Sequence, residues 1–130
     1  MGRPLEILIL DDESIVGQRL KPALQKEGYR VETFTAPREA VARLEEKNFD
    51  IVVTDIRMED LDGLQVLAGI RQRSPGTKVI MITGFATLEL AHESLNQGAF
   101  DFIAKPFRIG KMRDTILKAV KALEKEQGES

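Results

Sequence analysis

The sequence predicts an α/β fold, a doubly wound five-stranded parallel sheet with strand order 2-1-3-4-5 and five helices spread over both faces. Three observations predict it. Short apolar runs alternate with longer stretches at helical spacing, which is the pattern of repeated β/α units. Turn residues punctuate the alternation at Gly28, Asp62-Gly63, Ser74-Pro75-Gly76 and Gly98. One run, Arg30–Phe34, alternates polar and apolar residues as a half-covered edge strand would, which fits a second strand at the rim of the sheet.

Taken in order, the first strand is expected near residues 5–10, where Leu5 to Leu10 runs into Asp11-Asp12. A helix near 14–27 follows, closed by Gly28 as a left-handed C′ residue. Pro22 lies inside it, with its ring opposed to the Gln18 carbonyl, so a kink or a late start is expected there. The edge strand at 30–34 leads to a helix near 37–47, then to a strand near 50–54 that stops at Asp55. The third helix, near 64–73, sits between two turn signals. A strand near 78–83 ends on Thr83-Gly84, and the fourth helix, near 86–97, is closed by Gly98. The last strand, near 101–104, ends on Lys105-Pro106. The final helix, near 107–125, carries Ile109, Met112, Ile116, Val120 and Leu123 at spacings of three and four. Most of that stripe should face the sheet, with its outer end near Val120 and Leu123 passing the domain edge toward a partner helix or linker. Right-handed crossovers place the helices on both faces.

A chain of 130 residues reads as one domain over 1–125 with a fraying polar tail over 126–130. That length buries roughly two-thirds of the unfolded surface, so folding requires neither disulfide nor metal. The chain has no cysteine, which excludes disulfides, thiolate catalysis and cysteine-based zinc sites. A formal charge of −2 gives no overall footprint for nucleic acid or membrane surfaces. The apolar runs are too short to span a bilayer and no hydrophobic signal region opens the chain, so a cytoplasmic location is expected.

If the apolar runs are neighbouring parallel strands, their carboxyl ends form one rim, where open α/β sheets bind ligands. Asp11, Asp12 and Asp55, the Thr83 hydroxyl and the Lys105 ammonium then converge. Asp55 ends the run expected at the sheet centre and is the natural nucleophile for an acyl phosphate. The Asp11-Asp12 pair suits a hard divalent cation, Mg²⁺ with Mn²⁺ as the alternative, which takes carboxylate, water and phosphate oxygens. Three carboxylates without a cation repel one another, so the metal-free site should be destabilising. Lys105 offers positive charge to phosphoryl oxygens, and its bond to Pro106 is a candidate cis peptide. Singly, each residue also has an ordinary reading. Asp11, Asp12 and Ser14 could cap the first helix, Thr83-Gly84 could be a turn, and His92 reads as a solvated helical side chain.

The anchors Leu10-Asp11-Asp12-Glu13, Val53-Thr54-Asp55-Ile56-Arg57-Met58, Leu61-Asp62-Gly63, Met81-Ile82-Thr83-Gly84 and Phe102-Ile103-Ala104-Lys105-Pro106-Phe107 together resemble the receiver domain of bacterial two-component response regulators. The resemblance runs from Ile7 to about Leu123 and is nearest to receivers of NtrC-type transcription activators. It implies that Asp55 accepts a phosphoryl group from a sensor histidine kinase. It also implies that Mg²⁺ binds Asp12, Asp55 and the Arg57 backbone carbonyl, with Asp11 acting largely through water. Lys105 would pair with the phosphoryl oxygens, Thr83 would move toward them, and Phe102 would rotate inward behind it. The surface of the fourth helix, fifth strand and fifth helix would then change, with homodimerisation through it and control of an output domain or partner outside this chain as the expected consequences. Arg57 and Phe85 occupy positions resembling the family's dephosphorylation-tuning sites, and their bulk predicts slow self-hydrolysis. Catalysis would be limited to self-phosphorylation and slow self-dephosphorylation, with no external metabolic substrate. Where the family commonly has proline after the loop methionine, this chain has Glu59, which predicts a looser and more acidic loop.

Two other classes compete. A phosphatase of the haloacid dehalogenase type also uses a strand-end Asp with Mg²⁺, but wants a second acid where this chain has Arg57. A flavodoxin-like flavin binder would use Thr83 to Thr87 as a phosphate loop, against repulsion from the acidic rim. The output is either transcription control through an attached domain or, for a single-domain regulator, direct protein contact.

Overall fold

The computed structural model describes residues 3–58 and 61–128, with Phe85 described through its backbone alone. Five parallel strands, β1 (Glu6–Leu10), β2 (Arg30–Phe34), β3 (Ile51–Asp55), β4 (Lys78–Thr83) and β5 (Asp101–Ala104), pair in the order β2-β1-β3-β4-β5. Between and after them run α1 (Ser14–Lys26), α2 (Pro37–Glu46), α3 (Gly63–Arg73), α4 (Leu88–Asn96) and α5 (Ile109–Gly128). The expected doubly wound architecture and strand order are those observed.

Strand alternation divides the core in two. Ile7, Ile9, Val53, Ile80 and Ile82 face α1 and α5, packing with Leu20, Leu24, Met112, Ile116 and Leu123. Leu8, Leu10, Val52, Val79 and Met81 face the other way, against Val66, Leu67 and Ile70 of α3 and Ala91 of α4. The inner strands are buried along both faces, so their sequences read as continuous apolar runs rather than alternating ones. At the edge, β2 buries Val31 and leaves Arg30 exposed, while Glu32 pairs with Arg43 and Lys47 of the neighbouring helix end.

Several local expectations change. α1 starts at Ser14 and passes through Pro22 to Lys26, so the late start does not occur. Leu20 and Leu24 are completely buried on either side of the proline, and that burial outweighs the one lost helical hydrogen bond. The fourth helix is preceded by a single 3-10 turn, Phe85–Thr87, and α4 proper begins at Leu88. The fifth helix starts two residues late, at Ile109, and continues to Gly128 instead of ending near 125. Val120 and Leu123 are buried in this domain's own core, so the stripe does not run out past its edge. Lys78 at the start of β4 grips Glu126, which holds the extra turn against the sheet. Gly28 and Gly98 have φ of 95° and 105°, the left-handed conformation expected of their helix-ending positions. Among the described residues no helix is long and apolar enough to cross a membrane.

Candidate functional site

The parallel register brings the strand ends together. Leu10 pairs with Thr54 and Asp55 with Ile82, so Asp11, Asp55 and Thr83 leave the sheet along one rim. Thr83 pairs with Ala104, which puts Lys105 next along it. One oxygen from each of Asp11, Asp12 and Asp55 lies within 4.8 Å of the others. Asp11 and Asp55 are buried while Asp12 is exposed. Lys105 Nζ enters from the β5 side, 2.9 Å from Asp11 Oδ2 and 3.3 Å from Asp55 Oδ2. The Lys105–Pro106 bond is cis.

The helix-cap reading of the acidic pair does not hold. The residue before α1 is Glu13, and no side chain caps that helix. Asp11 instead uses Oδ1 to accept the Glu13 N–H at 2.8 Å, a local turn that fixes the carboxylate across the rim. Its other oxygen, Oδ2, is buried and, apart from the Lys105 ion pair, receives no hydrogen bond. Asp55 Oδ1 accepts the Arg57 N–H at 3.3 Å. A cleft of about 640 Å³ opens over these groups, lined by Asp12, Asp55, Arg57, Met58, Gly84, Ala86, Thr87 and Lys105.

Electrostatics follow from this crowding. Burial pushes the Asp55 carboxyl above the ordinary range, the Asp11 charge pushes the same way, and Lys105 and the Arg57 N–H oppose them. Burial likewise raises Asp11, against the Glu13 N–H and Lys105. Burial disfavours the Lys105 ammonium, but Glu13, Asp11 and Asp55 outweigh it and hold its pKa above that of a free lysine. Lys105 therefore stays charged and partly neutralises an acidic cluster that it cannot fully satisfy. The buried Asp11 Oδ2, met only by the Lys105 ammonium, and the all-oxygen donor set fit a hard divalent cation.

Two residues of this neighbourhood have no signature of their own in the sequence. Glu13 holds Lys105 from the exposed side at 2.5 Å, and the signal was its place directly after the acidic pair. Thr87 Oγ1 lies 2.6 Å from Thr83 Oγ1, which an i, i+4 pair of hydroxyls permits. Thr83 is fully buried and turned toward Thr87 rather than lining the cleft. Phe102 is half-buried on β5, and the His92 ring of α4 meets it edge-on at 5.0 Å, so His92 is exposed yet in ring contact rather than simply solvated. Arg57 is exposed at the cleft rim. Glu59 and the Phe85 side chain lie outside the described residues. A second groove, between α2 and α3, is walled by Val41, Leu44, Phe49, Val66 and Ile70 and lacks any comparable cluster of carboxylates.

The chain is similar to known proteins. The family described as the response regulator receiver domain matches residues 7–117. The transcriptional regulatory protein ZraR of Salmonella typhimurium is 33% identical over 116 residues, covering 89% of this chain and 26% of its own length. The DNA-binding transcriptional regulator NtrC of Salmonella typhimurium is 35% identical over 121 residues, covering 93% of this chain and 26% of its own. The chain thus spans about a quarter of the length of the curated relatives it matches. Among solved structures, a CheY-like receiver domain protein from Methanospirillum hungatei superimposes with a TM-score of 0.89 at 35% identity, over 95% of this chain and 98% of that one. The beryllofluoride-activated NtrC4 receiver domain dimer does so with a TM-score of 0.84 at 33% identity, over 91% and 98%. With the strand order, the acidic rim and the relatives in agreement, the chain belongs to the response regulator receiver domain family.

Proposed function

We infer that this domain is a phosphorylation switch whose acceptor is Asp55, charged by a sensor histidine kinase. The observation that carries this is the meeting of Asp11, Asp12 and Asp55 oxygens within 4.8 Å, with Lys105 Nζ 3.3 Å from Asp55 Oδ2. A carboxylate oxygen of Asp55 attacks the phosphorus, the bond from phosphorus to the donor nitrogen breaks, and an acyl phosphate forms while the electron pair and a proton go to the imidazole. Asp55 is buried at the end of the central β3, so the acceptor is held by the sheet rather than by a mobile loop. Lys105 is already at hydrogen-bond distance from the acceptor and supplies positive charge to the incoming oxygens.

Asp12, Asp55 and the Arg57 backbone carbonyl would hold Mg²⁺ or Mn²⁺, with Asp11 behind them through water; bound there, the cation supplies charge neutralisation to the transferred group. Phosphorylation adds charge and three strong acceptors beside β4 and β5, where Thr83 and Phe102 sit next to α4. The output is then carried by α4, β5 and α5. Leu88 and Leu95 of α4 and Leu117 of α5 remain exposed there, and a receiver dimer is among the similar structures, which supports homodimerisation through this face. The relatives named as transcriptional regulators support transcription control through a further domain. Arg57 at the rim obstructs water's approach to Asp55 and slows self-hydrolysis, and the reading extends to Phe85 by its position two residues past Thr83.

The test is incubation with acetyl phosphate and Mg²⁺ followed by intact-mass measurement. Wild type should gain one phosphoryl group and Asp55→Asn none. Equal labelling of the two proteins would remove Asp55 from the acceptor role.

A further inference from the structure

Thr83 offers no free hydroxyl to the acidic cleft. Its Oγ1 lies 2.6 Å from Thr87 Oγ1 and 3.0 Å from the Gly84 carbonyl oxygen. Thr87 Oγ1 in turn accepts the Gly84 N–H at 3.1 Å and stands 3.3 Å from the same Gly84 oxygen. Both side chains belong to buried residues, with relative exposures of 0% for Thr83 and 4% for Thr87. Each hydroxyl has a single hydrogen to give. If Thr83 donates to Thr87, then Thr87 donates to Gly84; if Thr87 donates to Thr83, then Thr83 donates to Gly84. In either ordering the Thr83 hydrogen is consumed inside the β4–α4 turn, and none points at Asp55.

Thr87 itself lines the cleft beside Asp55 and Lys105, and it is the N-cap residue of α4. We propose that Thr87 is a positioning residue, a hydroxyl latch that holds Thr83 in its present orientation and must release it before Thr83 can hydrogen-bond a phosphoryl group on Asp55. This rests on the reading of Asp55 as acceptor. The latch links two events. Rotation of Thr83 toward the cleft leaves Thr87 with only its Gly84 contacts, so the 3-10 turn and the start of α4 lose a constraint at the moment the phosphoryl group is recognised. The burial of both hydroxyls makes the contact costly to leave unpaired, which gives the resting orientation its preference.

The experiment compares wild type, Thr87→Val, Thr87→Ala and Thr87→Ser in two measurements. Beryllofluoride binding in the presence of Mg²⁺ should be about fivefold tighter in Thr87→Val and Thr87→Ala, since the unliganded state has lost one neutral hydrogen bond. Thr87→Ser keeps the hydroxyl and should bind as wild type does. The second measurement needs no ligand: NMR couplings of the Thr83 methyl group should report one χ1 rotamer in wild type and Thr87→Ser, and rotamer averaging in the other two. Thr87→Ala carries the same expectations should the valine variant not fold. Binding unchanged or weaker in the hydroxyl-free variants with a single Thr83 rotamer, or Thr87→Ser behaving like Thr87→Ala, would overturn the latch. If wild type binds no beryllofluoride at all, the acceptor reading fails, and the Thr83 rotamers still decide the latch by themselves.

Discussion

Asp55 and Asp11 carry opposing demands, because the geometry that suits a cation and a phosphoryl group is unfavourable when both are missing. Burial raises both carboxyls in the folded chain, while in the unfolded chain they return to the ordinary range. The folded state therefore binds more protons between those values. The stability it gains is complete below the ordinary carboxylate range and is lost as pH rises through the raised folded values. Asp55→Asn removes that loss, so metal-free Asp55→Asn should melt roughly 4 °C above wild type at neutral pH, with the gain shrinking to nothing near pH ~4. Calorimetry over pH checks this, and a variant melting at or below wild type at neutral pH would contradict it. Adding Mg²⁺ should raise wild type more than the variant. Asp12 is exposed while Asp11 and Asp55 are buried, so burial concentrates this cost on the latter two. Arg57→Asn should lose its phosphoryl group several-fold faster than wild type in a decay assay, because it clears the cleft rim without touching the acceptor.

At the level of elements, α3 and the end of β3 constrain each other closely. Asp62 caps α3 by accepting the Gln65 N–H, and the Gln65 side chain accepts the Asp62 N–H in return. Gly63 then donates its N–H to the Ile56 carbonyl at 2.6 Å. A Cβ at Gly63 would stand 2.3 Å from the Asp55 carbonyl oxygen and 2.9 Å from the Ile56 Cα. Gly63→Ala should therefore cost about 3 kcal/mol in denaturant unfolding and lower acetyl phosphate labelling, because the backbone beneath the acceptor must shift. Gly69 lies later in the same helix, and a Cβ there meets nothing within 4 Å. Gly69→Ala should stabilise by about 0.5–1 kcal/mol in the same assay. A sequence reader sees Asp62-Gly63 as a turn signal and has no means of telling these two glycines apart. The unbroken course of α1 through Pro22 and the end of α5 were illegible for a related reason: Pro22 and the polar run after Leu123 are judged by local propensity, whereas buried Leu20 and Leu24 and the Lys78–Glu126 pair decide them through packing and a contact distant in sequence.

For the whole molecule, the packing of α5 sets what remains for a partner. Val120 and Leu123 face inward, while Leu117 of α5 and Leu88 and Leu95 of α4 are exposed. Light scattering should show beryllofluoride and Mg²⁺ converting monomer to dimer, and Leu95→Asp with Leu117→Asp should prevent the conversion while leaving acetyl phosphate labelling intact. Wild type that stays monomeric in both conditions would discard the dimer. Sequence alone determined the layer architecture, the strand order and which carboxylates, hydroxyl and lysine reach one rim. Period and apolar run length are local quantities, and parallel strands with right-handed crossovers admit few arrangements. Only the tertiary structure decided that Lys105 rests between Asp11, Asp55 and Glu13, that Thr83 is turned to Thr87, and that His92 lies against Phe102. Side-chain orientation is set by which neighbours packing supplies and which polar groups burial leaves needing a partner, and neither is written in the order of residues along the chain.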